Sequence, residues 1–204
     1  MNGLIRVFNF AVLIAVVFLT TACPDVQSPQ QSQLKRIQDN NMNLPELQLT
    51  NYEGIEFMLS DFFRKDYDDS YVLTDNAMTR VIDAIDVYFS VELFTNEDAE
   101  IIQYSFDEDL SPIDAVHDNY VLKREDSVFE PSVSIKKALP KEVAFDGYIQ
   151  VVHGANSSYS ERSSYFIATV QVGIDYYVFQ MIGKEENMGY LHDDFLAIMR
   201  SVQK

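Results

Sequence analysis

The sequence predicts an α+β domain in which a single antiparallel sheet is flanked by helices, an α-β-α sandwich. Three observations point there. Several segments alternate apolar and polar residues with the period of a strand, and others space apolar residues as a helix does. In addition, two strand-like segments are separated by only Gly173-Ile174-Asp175, a turn that makes them an antiparallel hairpin. Residues 52–204 suffice for one such domain with a substantial core.

Taken in order, the domain opens on a stretch crowded with aromatics: Tyr52, Phe57, Phe62, Phe63, Tyr67 and Tyr71. These are assigned first to the core, and alternatively to a patch over 62–72 shown to a partner. From Ile85 to Phe94, Ile85, Val87, Phe89, Val91 and Leu93 point one way and Asp86, Tyr88, Ser90 and Glu92 the other, a half-buried strand. Asn96 then caps a helix over 97–104, with Glu97 and Asp98 suited to its first turn. Ser111-Pro112 starts a second helix, whose Ile113, Val116, His117, Tyr120 and Val121 form one stripe. Strands are expected over 132–136, 145–153, 165–172 and 176–182. A last helix, about 188–202, sets Met188, Leu191, Phe195, Ile198, Met199 and Val202 on one face to pack on the sheet.

The N-terminus is of another kind. A single positive charge, Arg6, precedes the apolar run Val7–Leu19, and the small residues Thr20-Thr21-Ala22 lead into Cys23. This is the order of an export signal, with residues 1–22 removed. Thr21, Ala22 and Cys23 resemble the lipobox of bacterial lipoproteins, with Thr20 where that pattern usually has leucine. The resemblance implies diacylglycerol on the Cys23 sulfur and cleavage just before it, so the bilayer becomes a partner through acylated Cys23. Firm anchoring follows from two or more chains, since each buried methylene contributes roughly 0.8 kcal/mol. Residues 23–51, rich in Gln, Asn, Ser and Pro, read as a flexible polar tether. The periplasmic face of the outer membrane is favoured over the inner membrane for the anchored domain.

Composition excludes several functions. A formal charge of −17 without a basic stripe repels phosphate backbones, so no nucleic-acid partner is expected. Cys23 is the only cysteine, which leaves the domain without disulfides or thiolate chemistry. The seven glycines form no phosphate-binding loop, and no cofactor is expected. His117 and His192 lack a second ligand at metal spacing, so they read as hydrogen-bonded histidines and no metal site is assigned. Asp66-x-Asp68-x-Ser70 imitates the start of a calcium loop, but Tyr71 and Ala77 stand where its glycine and bidentate glutamate belong. Asp107-Glu108-Asp109 reads as a solvated turn. His153 lies close to Ser157 and Ser158, but no nucleophile elbow accompanies them, so no catalytic residue is assigned.

The C-terminal run Tyr176-Tyr177-Val178-Phe179-Gln180, followed by Phe195-x-x-Ile198-x-x-Ser201-Val202, resembles the end of PsbP/Mog1-like domains, with Val202 in place of their usual phenylalanine. Gly147-Tyr148 at the start of a strand suits them too. The resemblance covers about the last third of the chain. It implies an α-β-α sandwich used for binding or assembly and not for catalysis. The expected function is a membrane-anchored envelope lipoprotein that binds an envelope protein. The alternatives are a small-ligand-binding lipoprotein and a hydrolase using His153 or His192.

Overall fold

The computed structural model describes residues 28–39, 44, 47–65, 72, 77–106, 108–157 and 160–204. Its elements are α1 (Pro29–Asp39), β1 (Leu47–Tyr52), β2 (Ile55–Ser60), β3 (Arg64–Lys65), β4 (Ala77–Ile82), β5 (Val87–Phe94), α2 (Asn96–Phe106), α3 (Pro112–Asp126), β6 (Phe129–Val133), β7 (Lys137–Ala138), β8 (Gly147–Ala155), β9 (Arg162–Val172), β10 (Asp175–Lys184) and α4 (Glu185–Arg200). Among the described residues, no helix is long and apolar enough to cross a membrane.

Among the described residues the fold is α+β with antiparallel pairing, but it has two sheets where the sequence suggested one. The large sheet has eight strands, ordered β3-β4-β5-β10-β9-β8-β6 with β7 also paired to β8. β1 and β2 form a separate hairpin. That hairpin does not extend the large sheet because it stacks its apolar side on it. Phe57 meets Phe89 and Phe179 at ring-centroid distances of 5.9 and 5.4 Å. One backbone position of β2's other edge is taken by the C-terminus, where Glu56 and Gln203 exchange hydrogen bonds of 2.9 Å.

Turn chemistry follows the residues. Glu53 and Gly54 both have positive φ, 44° and 85°, as a two-residue primed turn between β1 and β2 requires. Gly173, with φ of 70°, turns β9 into β10 as the sequence indicated. Gly147 permits close approach: a Cβ there would sit 2.1 Å from the Thr169 carbonyl oxygen.

Two hydrophobic clusters lie on opposite faces of the large sheet. One face carries Phe89, Val91, Phe166, Ala168, Phe179 and Met181, covered by α4, the β1–β2 hairpin and α1. The other carries Phe94, Tyr165, Ile167, Tyr176 and Val178, covered by Ala99 of α2 and by Val116, Tyr120 and Val121 of α3. Burying both faces changes the reading of the strand at 85–94. It is not half-buried, because Ser90 and Glu92 are as enclosed as Val87 and Phe89. It also begins at Val87, after a turn in which Asp86 has φ of 54°.

Three local expectations shift as well. The cap of α2 is Thr95, not Asn96: Thr95 Oγ1 accepts from the Asp98 amide at 3.2 Å, and Asp98 accepts from the Thr95 amide at 2.9 Å. Ser111 caps α3 as anticipated, accepting from the Asp114 amide at 3.3 Å. The stretch 23–51 is not all tether, since α1 and most of β1 lie within it. A single apolar stripe is enough to dock α1: Ile37 is fully buried, and Gln33 donates to the Phe62 carbonyl at 3.0 Å.

Candidate functional site

The helix-covered face under α3 holds an unusual amount of buried polarity. Ser90 and Glu92 on β5, Gln180 on β10, Thr169 on β9 and Gln150 on β8 all point towards α3 from alternate strand positions, and all are buried. From the helix, His117, Tyr120 and Arg124 reach down to meet them, spaced i, i+3 and i+7. The Tyr120 hydroxyl donates to the Glu92 carboxylate. Burial, and then the Glu92 charge, hold the Tyr120 phenol well above its ordinary pKa, so it remains a donor. The Arg124 guanidinium lies 5.4 Å from the centre of the Tyr120 ring.

His117 is hydrogen-bonded, as its place in the helix stripe implies, and it is fully buried. Its Nδ1 is 2.9 Å from Thr169 Oγ1 and its Nε2 is 3.1 Å from Gln150 Oε1. Gln150 spends its amide on the Ser134 carbonyl at 2.8 Å, so its oxygen faces the ring and assigns the proton to Nε2. Desolvation pulls the His117 pKa down to about 4, leaving a neutral imidazole at physiological pH. At the margin, Lys136 bridges α3 to the β6–β7 edge, 2.9 Å from Asp114 and 2.8 Å from Asp118. This layer seats α3. With Glu92, His117 and Tyr120 at 0% exposure, it offers no reacting group to a substrate.

His153 is the one histidine placed beside both a serine and a carboxylate. Ser164 Oγ is 2.8 Å and Glu185 Oε1 3.7 Å away, but both approach the same nitrogen, Nδ1. A catalytic triad needs them on opposite nitrogens, and it needs an accessible nucleophile. Ser164 is 1% exposed. The serine this ring meets is Ser164; of the two named from sequence, Ser158 lies outside the described residues. His192 is exposed, 3.5 Å from Asp193 and edge-on to Phe166.

Other candidates are resolved in part. Phe62 and Phe63 are buried, as the core reading held, so the patch over 62–72 loses its two phenylalanines. Tyr67 and Tyr71 lie outside the described residues, as do residues 1–27 with Cys23, the aspartates 66 and 68 with Ser70, and Asp107. Among the described residues, no group of three or more His, Cys, Asp or Glu could hold a metal ion. A surface cleft of about 410 Å³ lies between α1 and β3, lined by Arg36, Phe62, Arg64 and Asp83 among others. Its arginines are already engaged: Arg64 grips Asp83 through two nitrogens, and Arg36 stacks 4.5 Å from the centre of the Phe62 ring.

The surface feature that the sequence reading missed is α2. Only Ala99 of this helix is buried. Ile101 and Tyr104, three residues apart on one side, are 58% and 80% exposed, and Phe106 is 38% exposed. Glu97 and Glu100 stand one turn before Ile101 and Tyr104, and Asn96 holds Glu100 at 2.7 Å. Gln103 pins the α2–α3 connection by donating to the carbonyls of Glu108 and Leu110. The signal was present: Ala99 and Ile102 already provide an inner side, which leaves Ile101 and Tyr104 with no core to enter.

No known protein family and no curated protein matches this sequence. Solved structures do resemble it. The Ran-binding protein Mog1p of Saccharomyces cerevisiae superposes with a TM-score of 0.51 at 10% identity, over 78% of this chain and 95% of that one. A point mutant of Mog1 gives 0.51 at 11% identity, over 78% and 96%. LpqN of Mycobacterium tuberculosis, involved in cell envelope biogenesis, gives 0.44 at 12% identity over 82% and 94%, a score too low to establish a shared fold. The chain therefore has a Mog1-like fold.

Proposed function

We propose that this chain is a non-catalytic, lipid-anchored envelope protein that binds a protein partner through the outward side of α2. The observation that carries the reading is the pair Ile101 and Tyr104, held in solvent on a helix whose opposite side is fixed to the domain. Isolated exposed apolar residues are ordinary. Two large ones aligned on a capped helix, with Phe106 after them, make a compact anchor of the kind interfaces concentrate around. Mog1, whose fold the chain shares, is itself described as a Ran-binding protein, so a binding role has precedent on this scaffold, though fold alone does not assign one. Cys23 would hold the domain at the membrane; Cys23→Ser is expected to release it to the soluble fraction.

The test is photo-cross-linking in cells, with the reactive side chain placed at position 104 or at position 190. Tyr190 is the control because it is 59% exposed on α4, across the sheet. A discrete protein adduct from 104 and none from 190 supports the reading. No adduct from 104, or the same adducts from both positions, overturns it.

A further inference from the structure

The charges around the α2 strip point to the kind of segment that would cover it. Between Asn96 and Asp109 the chain carries Glu97, Asp98, Glu100, Asp107, Glu108 and Asp109 and not one lysine or arginine. Glu97 and Asp98 suit a helix N-terminus, and Asp98 is used in the cap. The acids at the other end are misplaced by the same rule. Glu108 and Asp109 follow the α2 C-terminus, where the helix dipole is negative and a cation is favoured, yet its last turn holds no basic residue. Elsewhere the chain does supply that cation: α3 ends with Lys123 and Arg124, and α4 with Arg200. The α2 strip is thus bordered by acids and carries no basic residue of its own helix.

Resting on the reading of α2 as the docking face, we propose that its occupant is a basic amphipathic segment of a protein partner, with aliphatic or aromatic residues on one side and lysine or arginine on the other. The apolar side would cover Ile101 and Tyr104. The cations would meet Glu97 and Glu100 at one margin and Glu108, past the helix C-terminus, at the other. A second copy of this chain is a poor fit, because it would bring an equally acidic strip against this one. A docked cation would lie against these exposed acids, so affinity should fall with salt, as for contacts between exposed charges.

The probe is a synthetic amphipathic peptide of leucine and lysine, titrated by fluorescence anisotropy into the purified full-length chain. Controls are a scrambled peptide of the same composition and a peptide with glutamate in place of lysine. Glu97→Gln/Glu100→Gln should weaken binding about fivefold and Ile101→Ser/Tyr104→Ser about tenfold or more, as margin charges and a central apolar anchor differ. Glu186→Gln/Asp193→Asn, which removes the same charge from α4 across the sheet, should leave binding within about twofold. Equal loss from the α4 variant, or equal binding of the scrambled peptide, would mean general attraction to an acidic protein and overturns the proposal. Loss from the Ile101/Tyr104 variant but not from the Glu97/Glu100 variant also overturns it, while leaving the docking face intact. If Ile101→Ser/Tyr104→Ser changes nothing, the docking face fails with it. Self-association abolished by Tyr104→Ser would identify a second copy as the occupant and overturn the proposal as well.

Discussion

The same three central strands present opposite chemistry on their two faces. Towards α4 and the hairpin, β5, β9 and β10 show Phe89, Val91, Phe166, Ala168, Phe179 and Met181, an aromatic and aliphatic surface without a buried charge among them. One residue along in each strand, the face under α3 shows Ser90, Glu92, Thr169 and Gln180, interleaved with Ile167 and Val178. Hydrophobic contact tolerates small slides between layers, whereas hydrogen bonds between buried partners do not. The first face therefore holds its layers by apolar burial. The second fixes how α3 sits, and through the α2–α3 packing it fixes where the exposed strip on α2 is held.

Truncating the apolar face should cost most. Phe179→Ala removes a fully buried ring that packs against Phe57 and Phe89, and should lower the unfolding free energy by about 3–5 kcal/mol in urea titration. On the polar face, Tyr120→Phe deletes one oxygen and leaves the buried Glu92 without that donor. A loss of about 2–3 kcal/mol is expected, largely recovered when Glu92→Leu is added in the same chain. If the double variant is as unstable as the single, the pair is not coupled and the contrast between faces weakens.

The faces should also separate by pH. His117, under α3, is depressed from 6.5 to about 4, so the stability of its neutral form is complete above about pH 6.5 and drains away as pH falls towards 4. Asp194, on α4 across the sheet, moves oppositely. Burial raises its pKa to about 6 while the Leu44 amide, 3.2 Å from Oδ1, acts against that. Its ionised form costs stability above pH 6, and the cost fades as pH falls towards 3.8. Asp194→Asn keeps an oxygen for Leu44 and removes the charge. It should add about 1 kcal/mol at neutral pH, after allowing for solvent screening, and nothing near pH 4. His117→Gln should flatten the acid limb between about pH 6.5 and 4. Thermal melts across that range would reveal either failure.

Much of the apolar face was legible in the chain itself. The stripe Met188, Leu191, Phe195, Ile198, Met199 is buried on α4 as its spacing required, and the turn at Gly173 lies where the sequence placed it. The polar face was not, for a physical reason. Alternation in 85–94 assigns Ser90 and Glu92 to solvent unless it is known that α3 returns to cover them, and that is a tertiary fact. The first strands were missed differently. Ile55, Phe57 and Leu59 alternate well, but the crowd of aromatics and the polar stretch before them obscured a hairpin that packs face-on. α1 is short and mostly polar, and only Ile37 and Leu34 mark its inner side.

The smallest expected effect bears most directly on the central claim that Ile101 and Tyr104 are surplus to the fold and free to bind. The decisive measurement is the unfolding free energy of Ile101→Ser/Tyr104→Ser in urea. The value should match the parent within about 0.5 kcal/mol, as for surface positions with no structural duty. A loss of more than about 1 kcal/mol would mean that these side chains belong to the packing of this domain, and would contradict the assignment of α2 as its binding face.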